Sequence, residues 1–236
     1  MKAVILAGGL GTRMGEETAS RPKPLVEVGG RPIIWHILKI YEAHGITDFV
    51  VCAGYAGHML TDYFAHDRGE RWRVQVVDTG PTTPTGGRLR RARAAIGNET
   101  FCMTYGDGVS NVDIGALVAF HRRSGALATV TAVQAQLPFG VVTFSDNGSG
   151  AVGFAEKPRV PDLWVNSGFF VIEPAALDYV HADDEAWEGA PLSRLSAAGR
   201  LTGYKHNGFW QCMDAPRDRD LLEAAWRDGS AQWKVW

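Results

Sequence analysis

The chain has 236 residues, 45% of them hydrophobic and 21% charged, and 24 Lys plus Arg stand against 26 Asp plus Glu for a net charge of −2. That balance excludes a nucleic-acid binder working by bulk charge, and the apolar share excludes a disordered chain. No apolar run approaches the roughly 18 residues that span a bilayer and no secretory leader is recognisable at the start, while Cys52, Cys102 and Cys212 lack CxxC spacing and read as free thiols of a reducing cytoplasm.

Lys2–Ala7 is a short apolar run that stops at Gly8-Gly9 and is predicted to be a buried parallel strand. Pro32 stands at the first position of a predicted helix, in which Ile33, Ile34, Ile37, Leu38 and Tyr41 recur at helical spacing. Asp48–Ala53 reads as a strand, 57–66 as a helix and Arg73–Asp78 as an alternating strand. Leu89, Ala92 and Ile96 mark the inner face of a further helix. Phe101–Tyr105 is a predicted strand running into Gly106-Asp107-Gly108, and Asp113 is placed to cap a helix ending at Ser124. In the second half, strands are expected at 126–133, 141–144, 151–155 and 165–172, with Asp146-Asn147-Gly148 as a turn signal between the middle pair. Helices are expected at 174–180, 184–198 and 216–227.

Strand–helix alternation of this kind predicts an α/β fold: a Rossmann-like, mostly parallel sheet with helices on both faces, here with a small C-terminal α/β subdomain. No repeat or linker divides the sequence, so a single domain over 1–236 is expected. Ligands of such sheets bind beyond the carboxyl ends of the strands. Gly8-Gly9, Thr79–Gly87 and Gly106–Gly108 all follow predicted strands and so share that edge.

The loop Leu6-Ala7-Gly8-Gly9-Leu10-Gly11-Thr12-Arg13-Met14 lets backbone N–H groups approach a phosphate closely. It is not a P-loop, because no Gly-Lys-Ser/Thr follows. It is not a dinucleotide fingerprint either, because Met14 stands where Gly or Ala is needed. Alone, the loop fits a tight turn as well as a phosphate site. Ten residues beyond Arg13, Lys23 is flanked by Pro22 and Pro24, which stiffen its backbone and deny it a helix. A solvated loop lysine satisfies the same observation.

Together, Gly8-Gly9-x-Gly11-Thr12-Arg13 and Lys23-Pro24 resemble the signature of sugar-1-phosphate nucleotidylyltransferases. Further stretches make the chain most similar to glucose-1-phosphate cytidylyltransferases: Val77-Asp78-Thr79-Gly80, Thr85-Gly86-Gly87-Arg88-Leu89, Tyr105-Gly106-Asp107-Gly108-Val109, Glu156-Lys157-Pro158, Asn166–Val171, Gly208-Phe209-Trp210-Gln211 and Met213-Asp214. The resemblance runs in order over nearly the whole chain. It implies an enzyme in which a sugar-1-phosphate oxygen attacks the α-phosphorus of a nucleoside triphosphate, most similar to CTP-dependent members, and pyrophosphate leaves. Both reactants are anions, so positioned cations and Mg2+ would neutralise the developing charge.

Carried over residue by residue, the resemblance implies that Leu6, Gly8, Gly9, Gly11, Thr12 and Arg13 bind the nucleotide, with Arg13 on the β- and γ-phosphates. Lys23 would meet the α-phosphate, which makes Arg13 and Lys23 the catalytic pair. Thr79, Gly80, Gly87 and Arg88 would form the base pocket. Asp107 and Asp214 would hold the metal. Gly140, Glu156, Lys157 and Asn166 would contact the sugar phosphate. The resemblance also implies a nucleotide-binding half, 1–125, a sugar-binding half, 126–236, and a homo-oligomer with no nucleic-acid or membrane partner.

Read without the resemblance, Asp107 fits a turn between glycines and Glu156-Lys157 a surface ion pair. The arginine-rich stretch 68–93 reads as a solvated face apart from Arg88. Trp226, Trp233 and Trp236 suggest tail packing or a subunit contact. Two departures from the family pattern stand out: 64–77 is short, and Pro138-Phe139-Gly140 takes the place of Arg-Phe-Gly. Losing that Arg predicts a sugar other than glucose, such as a modified hexose or a heptose. An inactive nucleotide-sugar sensor on the same fold is a rival reading, against which Arg13, Lys23, Asp107 and Asp214 all stand. A nicotinamide oxidoreductase is another, against which Met14 stands.

Overall fold

The computed structural model describes residues 1–66, 70–137, 139–146, 148 and 150–236. In chain order the elements are β1 (Ala3–Leu6), β2 (Glu27–Val28), β3 (Arg31–Pro32), α1 (Ile33–Ala43), β4 (Asp48–Ala53), α2 (Gly57–Ala65), β5 (Arg73–Asp78), α3 (Thr85–Arg91), α4 (Arg93–Ile96), β6 (Phe101–Tyr105), β7 (Gly108–Ser110), α5 (Ile114–Ser124), β8 (Ala128–Gln136), β9 (Val141–Phe144), β10 (Ala151–Ala155), β11 (Arg159–Ile172), α6 (Ala190–Ala197), β12 (Leu201–His206), β13 (Trp210–Cys212) and α7 (Pro216–Arg227). Among the described residues, no helix is long and apolar enough to cross a membrane.

Seven of these strands form one sheet in the order β12-β8-β11-β6-β1-β4-β5. β6, β1, β4 and β5 run parallel, and β12 is parallel to β8. β11 is antiparallel to both of its neighbours. β1 shows why the central strands are continuous apolar runs. Ala3 and Ile5 enter one core cluster and Val4 and Leu6 the other, so neither face is left for water. One face packs on α1, α5 and α7 through Ile37, Leu117 and Leu222. The other packs on α3, α4 and α6 through Leu89, Ile96 and Leu195. The expected sheet with helices on both faces is what the chain forms.

Local chemistry explains most boundaries. Asp113 caps α5 by accepting the Ala116 N–H at 2.9 Å, a contact that typically contributes about 1 kcal/mol. α7 begins at Pro216, as predicted, with Asp218 accepting the Ala215 N–H at 2.9 Å. Pro32 lies just before α1 and pairs with Glu27 in the β2–β3 hairpin instead of entering the helix. Of the expected 146–148 turn, Asn147 lies outside the described residues, as do Arg68 and Pro138.

Three expectations are corrected. The helix predicted at 184–198 is confined to Ala190–Ala197, because the Glu185 carbonyl accepts the Gly87 N–H at 3.1 Å instead of continuing a helix. β12, not anticipated, closes the sheet beside β8. The arginine-rich face is not simply solvated: Arg90 and Arg91 both donate to Asp183, at 2.7 and 2.8 Å, and Arg93 to Asp178 at 2.6 Å. α3 and α4 thus dock the 178–188 segment. The tryptophan tail packs inward. Trp233 is buried, stacks on Phe209 and donates to His36 Nδ1 at 3.3 Å.

Candidate active site

A cavity of about 650 Å3 opens at the carboxyl edge of the sheet. Its wall includes the loop 6–13, Lys23, the 83–85 turn, Arg88, 104–108, Asn166, Glu188, Trp210, Cys212 and Asp214. Elements distant in sequence meet here because β1 and β6 are adjacent and parallel, so their following loops emerge side by side.

The glycine loop has specific backbone needs. Gly11 adopts φ 65°, the left-handed region that glycine enters without steric cost. Its carbonyl accepts the Thr18 hydroxyl at 2.9 Å. A Cβ on Gly8 would overlap the Arg88 guanidinium. Arg88 is itself buried and donates to the carbonyls of Gly8 (2.8 Å), Ala53 (3.1 Å) and Gly80 (2.8 Å) and to the Thr79 hydroxyl (2.7 Å). One side chain therefore ties together the loops that follow β1, β4 and β5.

The charged centre lies beside this loop. Pro22 and Pro24 set a single 3-10 turn over Lys23–Leu25 that points Lys23 inward. The Lys23 ammonium donates to Asp107 Oδ2 at 2.6 Å and Asp214 Oδ1 at 2.8 Å, and Arg13 pairs with the same Asp214 oxygen at 3.0 Å. Asp107 sits between β6 and β7, where its carbonyl accepts the Met213 N–H at 2.8 Å. That bond holds Asp107 and Asp214 together. Burial works against the Lys23 charge, but Asp107 and Asp214 outweigh it and hold its pKa above the ordinary lysine value. Burial likewise disfavours the Asp214 carboxylate, and the hydrogen bond and charge of Lys23 reverse this, so its pKa is lowered. Burial, with Asp107 and Asp214 nearby, pushes the Cys212 thiol up, so it stays protonated.

Carboxylate oxygens of Asp107 and Asp214, with the Cys212 sulfur, lie within 4.8 Å of one another. With Lys23 seated between them, the two carboxylates already cradle a cation. Such an oxygen pair, completed by water and phosphate, is the donor set a magnesium ion takes.

Leu6, Gly8, Gly9, Gly11, Thr12, Arg13, Lys23, Arg88, Asp107, Asn166 and Asp214 are brought together on the cavity wall. Thr79, Gly80 and Gly87 are not. Thr79 is fully buried and donates to the Ala53 carbonyl at 2.6 Å, so its hydroxyl faces Arg88 rather than a ligand. A Cβ on Gly80 would meet Arg91 and Thr83, and one on Gly87 would overlap the Asp183 carbonyl. These glycines serve packing. Thr83, Pro84 and Thr85 of the same stretch line the cavity in their place. Gly140, Glu156 and Lys157 lie at the exposed β9–β10 hairpin and outside that wall. Lys157, at φ 45°, pairs with Glu156 at 3.7 Å. Tyr105, Glu188 and Trp210 complete the wall and were missed. Tyr105 and Trp210 stood inside quoted motifs, while nothing local marked Glu188.

The nucleotidyl transferase family model matches residues 2–228. The chain is 45% identical to the glucose-1-phosphate cytidylyltransferase of Salmonella typhimurium, an alignment of 259 positions covering all of both chains. It is 38% identical to the probable glucose-1-phosphate cytidylyltransferase of Bacillus subtilis, again over all of both. Among solved structures, a UDP-glucose pyrophosphorylase from Acinetobacter baumanii is similar at TM-score 0.77 and 17% identity, over 99% of this chain and 95% of that one. HddC from Yersinia pseudotuberculosis is similar at 0.75 and 20%, over 95% and 99%. At these identities the two structures establish the fold alone.

Proposed function

This chain belongs to the nucleotidyl transferase family, and on that premise we propose that it transfers a cytidylyl group from CTP to a sugar-1-phosphate, releasing pyrophosphate and forming a nucleotide sugar. The observation that carries the reading is the convergence of Arg13, Lys23, Asp107 and Asp214 beside the glycine loop. The full-length likeness to glucose-1-phosphate cytidylyltransferases supports CTP and makes glucose-1-phosphate the first sugar to test. The absent family Arg at position 138 keeps modified hexose and heptose phosphates in the panel.

The chemistry follows from charge. The sugar phosphate must approach a triphosphate of like charge, and negative charge builds around the α-phosphorus and the departing pyrophosphate. The N–H groups of Gly8–Thr12 would cradle the triphosphate. Arg13, three-quarters exposed at the cavity mouth, would follow the β- and γ-phosphates. Lys23, held as a cation by its two aspartates, would turn its ammonium to the α-phosphate. A magnesium ion held by Asp107 and Asp214 would neutralise phosphate oxygens. No covalent nucleophile is needed, since the sugar phosphate oxygen attacks directly. We assign 1–125 to the nucleotide and 126–236 to the sugar, with Asp214 as the second half's contribution to the metal site. The free thiols are compatible with work in a reducing cytoplasm.

Pyrophosphate release measured across CTP, UTP, GTP, ATP and dTTP, against a panel of sugar-1-phosphates, tests the reading. Release with CTP and one sugar, dependent on Mg2+, is expected. CTP binding without release from any pair would favour the sensor.

A further inference from the structure

Arg13 and Asp214 pair across two separate elements. Arg13 lies on the turn Thr12–Thr18, which leaves the glycine loop at Gly11 (φ 65°), kinks again at Gly15 (φ 60°) and seats Met14 and Thr18 in the interior. Asp214 stands just ahead of α7, where its N–H donates to Asp218 at 3.0 Å. Resting on the reading above, we infer that Glu17, which is not part of the cavity wall, is a positioning residue: its ion pair with Arg219 of α7 holds the Arg13 turn in place against the Asp214 end of the helix, so that the triphosphate meets a preset Arg13.

Glu17 is placed to tie three segments together. Its Oε1 receives Arg219 Nη1, and its Oε2 receives Arg21 Nη2 at 2.7 Å. Arg21 leads through Pro22 to Lys23. Arg219 is held from its other side by Asp220, which accepts Nη2 at 2.7 Å. The side chains of Glu17, Arg21 and Arg219 are 25%, 35% and 33% exposed, so solvent screens the cluster only in part. One carboxylate therefore links the segments that carry Arg13, Lys23 and Asp214.

Among the described residues, two ion pairs join the 12–18 turn to the start of α7: Arg13–Asp214 and Glu17–Arg219. The first must open during the reaction, because Arg13 leaves Asp214 to follow the phosphates. The second lies off the cavity wall, so it stays closed when the first opens. Lys23 depends on it less, since Pro22, Pro24 and two aspartates already fix that side chain. Losing Glu17 therefore falls on Arg13 and on CTP, and leaves the sugar phosphate largely untouched.

Steady-state constants should be compared in the wild type, Glu17→Gln, Arg219→Gln, the double variant and Arg219→Lys, with CTP affinity read by calorimetry and stability by urea unfolding. In Glu17→Gln, KM and Kd for CTP are expected to rise about threefold to tenfold, the usual range for a half-buried charged hydrogen bond, with kcat and KM for glucose-1-phosphate within twofold. The double variant should match Glu17→Gln, because the bridge is already broken there. Arg219→Lys keeps the charge and should stay within twofold of the wild type. Unchanged CTP constants in Glu17→Gln, or additive losses in the double variant, would overturn the assignment. A lower urea midpoint with kcat and both KM values moved alike would overturn it too, by reducing the bridge to a structural tie. A wild type that binds CTP but turns over no pair would reject the proposed function, and the Kd comparison would still decide the role of Glu17. A wild type without affinity for CTP would reject both.

Discussion

Under the proposed function, Lys23 is the residue on which the chemistry would turn. Its ammonium is the shared partner of two carboxylates, and its proline-flanked backbone fixes where it points. Lys23→Ala should therefore cut kcat by about a hundredfold or more, the usual loss for one transition-state donor, while CTP binding measured by calorimetry changes far less. An unchanged kcat would remove Lys23 from the mechanism. Asp107→Asn should move the Mg2+ titration of activity to higher concentration by tenfold or more, and wild-type titration behaviour would contradict its role. These residues were legible in the sequence because each sits in a short motif directly after a predicted strand or within a proline-stiffened turn. Thr79 and Gly87 lie off the cavity wall for a related reason. Motif membership marks a residue as constrained, and here the constraint is Arg88 and the Asp183 carbonyl rather than a ligand. Glu188 carried no local signal, since its place on the cavity follows from how 178–188 docks on α3.

That docking is the main lesson at the scale of elements. Gly86 and Gly87 let the 183–188 backbone lie directly on α3, Arg90 and Arg91 pin it through Asp183, and Arg93 holds Asp178 upstream. Gly87→Ala should lower stability by about 1–3 kcal/mol, the usual cost of forcing a methyl into a closed contact, read from urea unfolding. Gly203→Ala on β12, where a Cβ meets nothing, should stay within about 0.5 kcal/mol. Equal effects would mean that the close approach at Gly87 does not matter. The elements legible from sequence were those with strong periodicity, such as β1, α1 and α7. β12 was not, because Leu201–His206 carries Gly203 and Lys205 and gains its strand character from parallel pairing with the distant β8.

Taken whole, the molecule opens its charged cavity at the carboxyl edge of the sheet and locks α1 to the chain end through an aromatic cluster around His36. Burial holds the His36 pKa down, to about 4 from an ordinary 6.5. Its Nε2 lies 2.8 Å from the Val28 carbonyl, so it is the donor there, while Nδ1 accepts from Trp233. Only the neutral ring fits. The unfolded chain binds a proton that the folded chain refuses, so this stability is complete above about pH 6.5 and is lost as pH falls toward 4. The loss approaches about 3 kcal/mol. Urea midpoints should drop across pH 6.5 to 4, and the His36 ring resonances should not titrate above pH 5. Titration near 6.5 would contradict a His36 ring held neutral by burial. The sheet and its two covered faces were readable in advance because strand–helix alternation leaves few other arrangements. The antiparallel β11 was not, since its direction is set by which neighbours it finds between β6 and β8.

Phosphorus NMR of the chain with CTP, glucose-1-phosphate and Mg2+ reads cytidylyl transfer without a coupling enzyme. The triphosphate signals should give way to pyrophosphate and to the paired doublets of a nucleotide sugar. Accumulation of inorganic phosphate and CDP, with glucose-1-phosphate untouched, would contradict it.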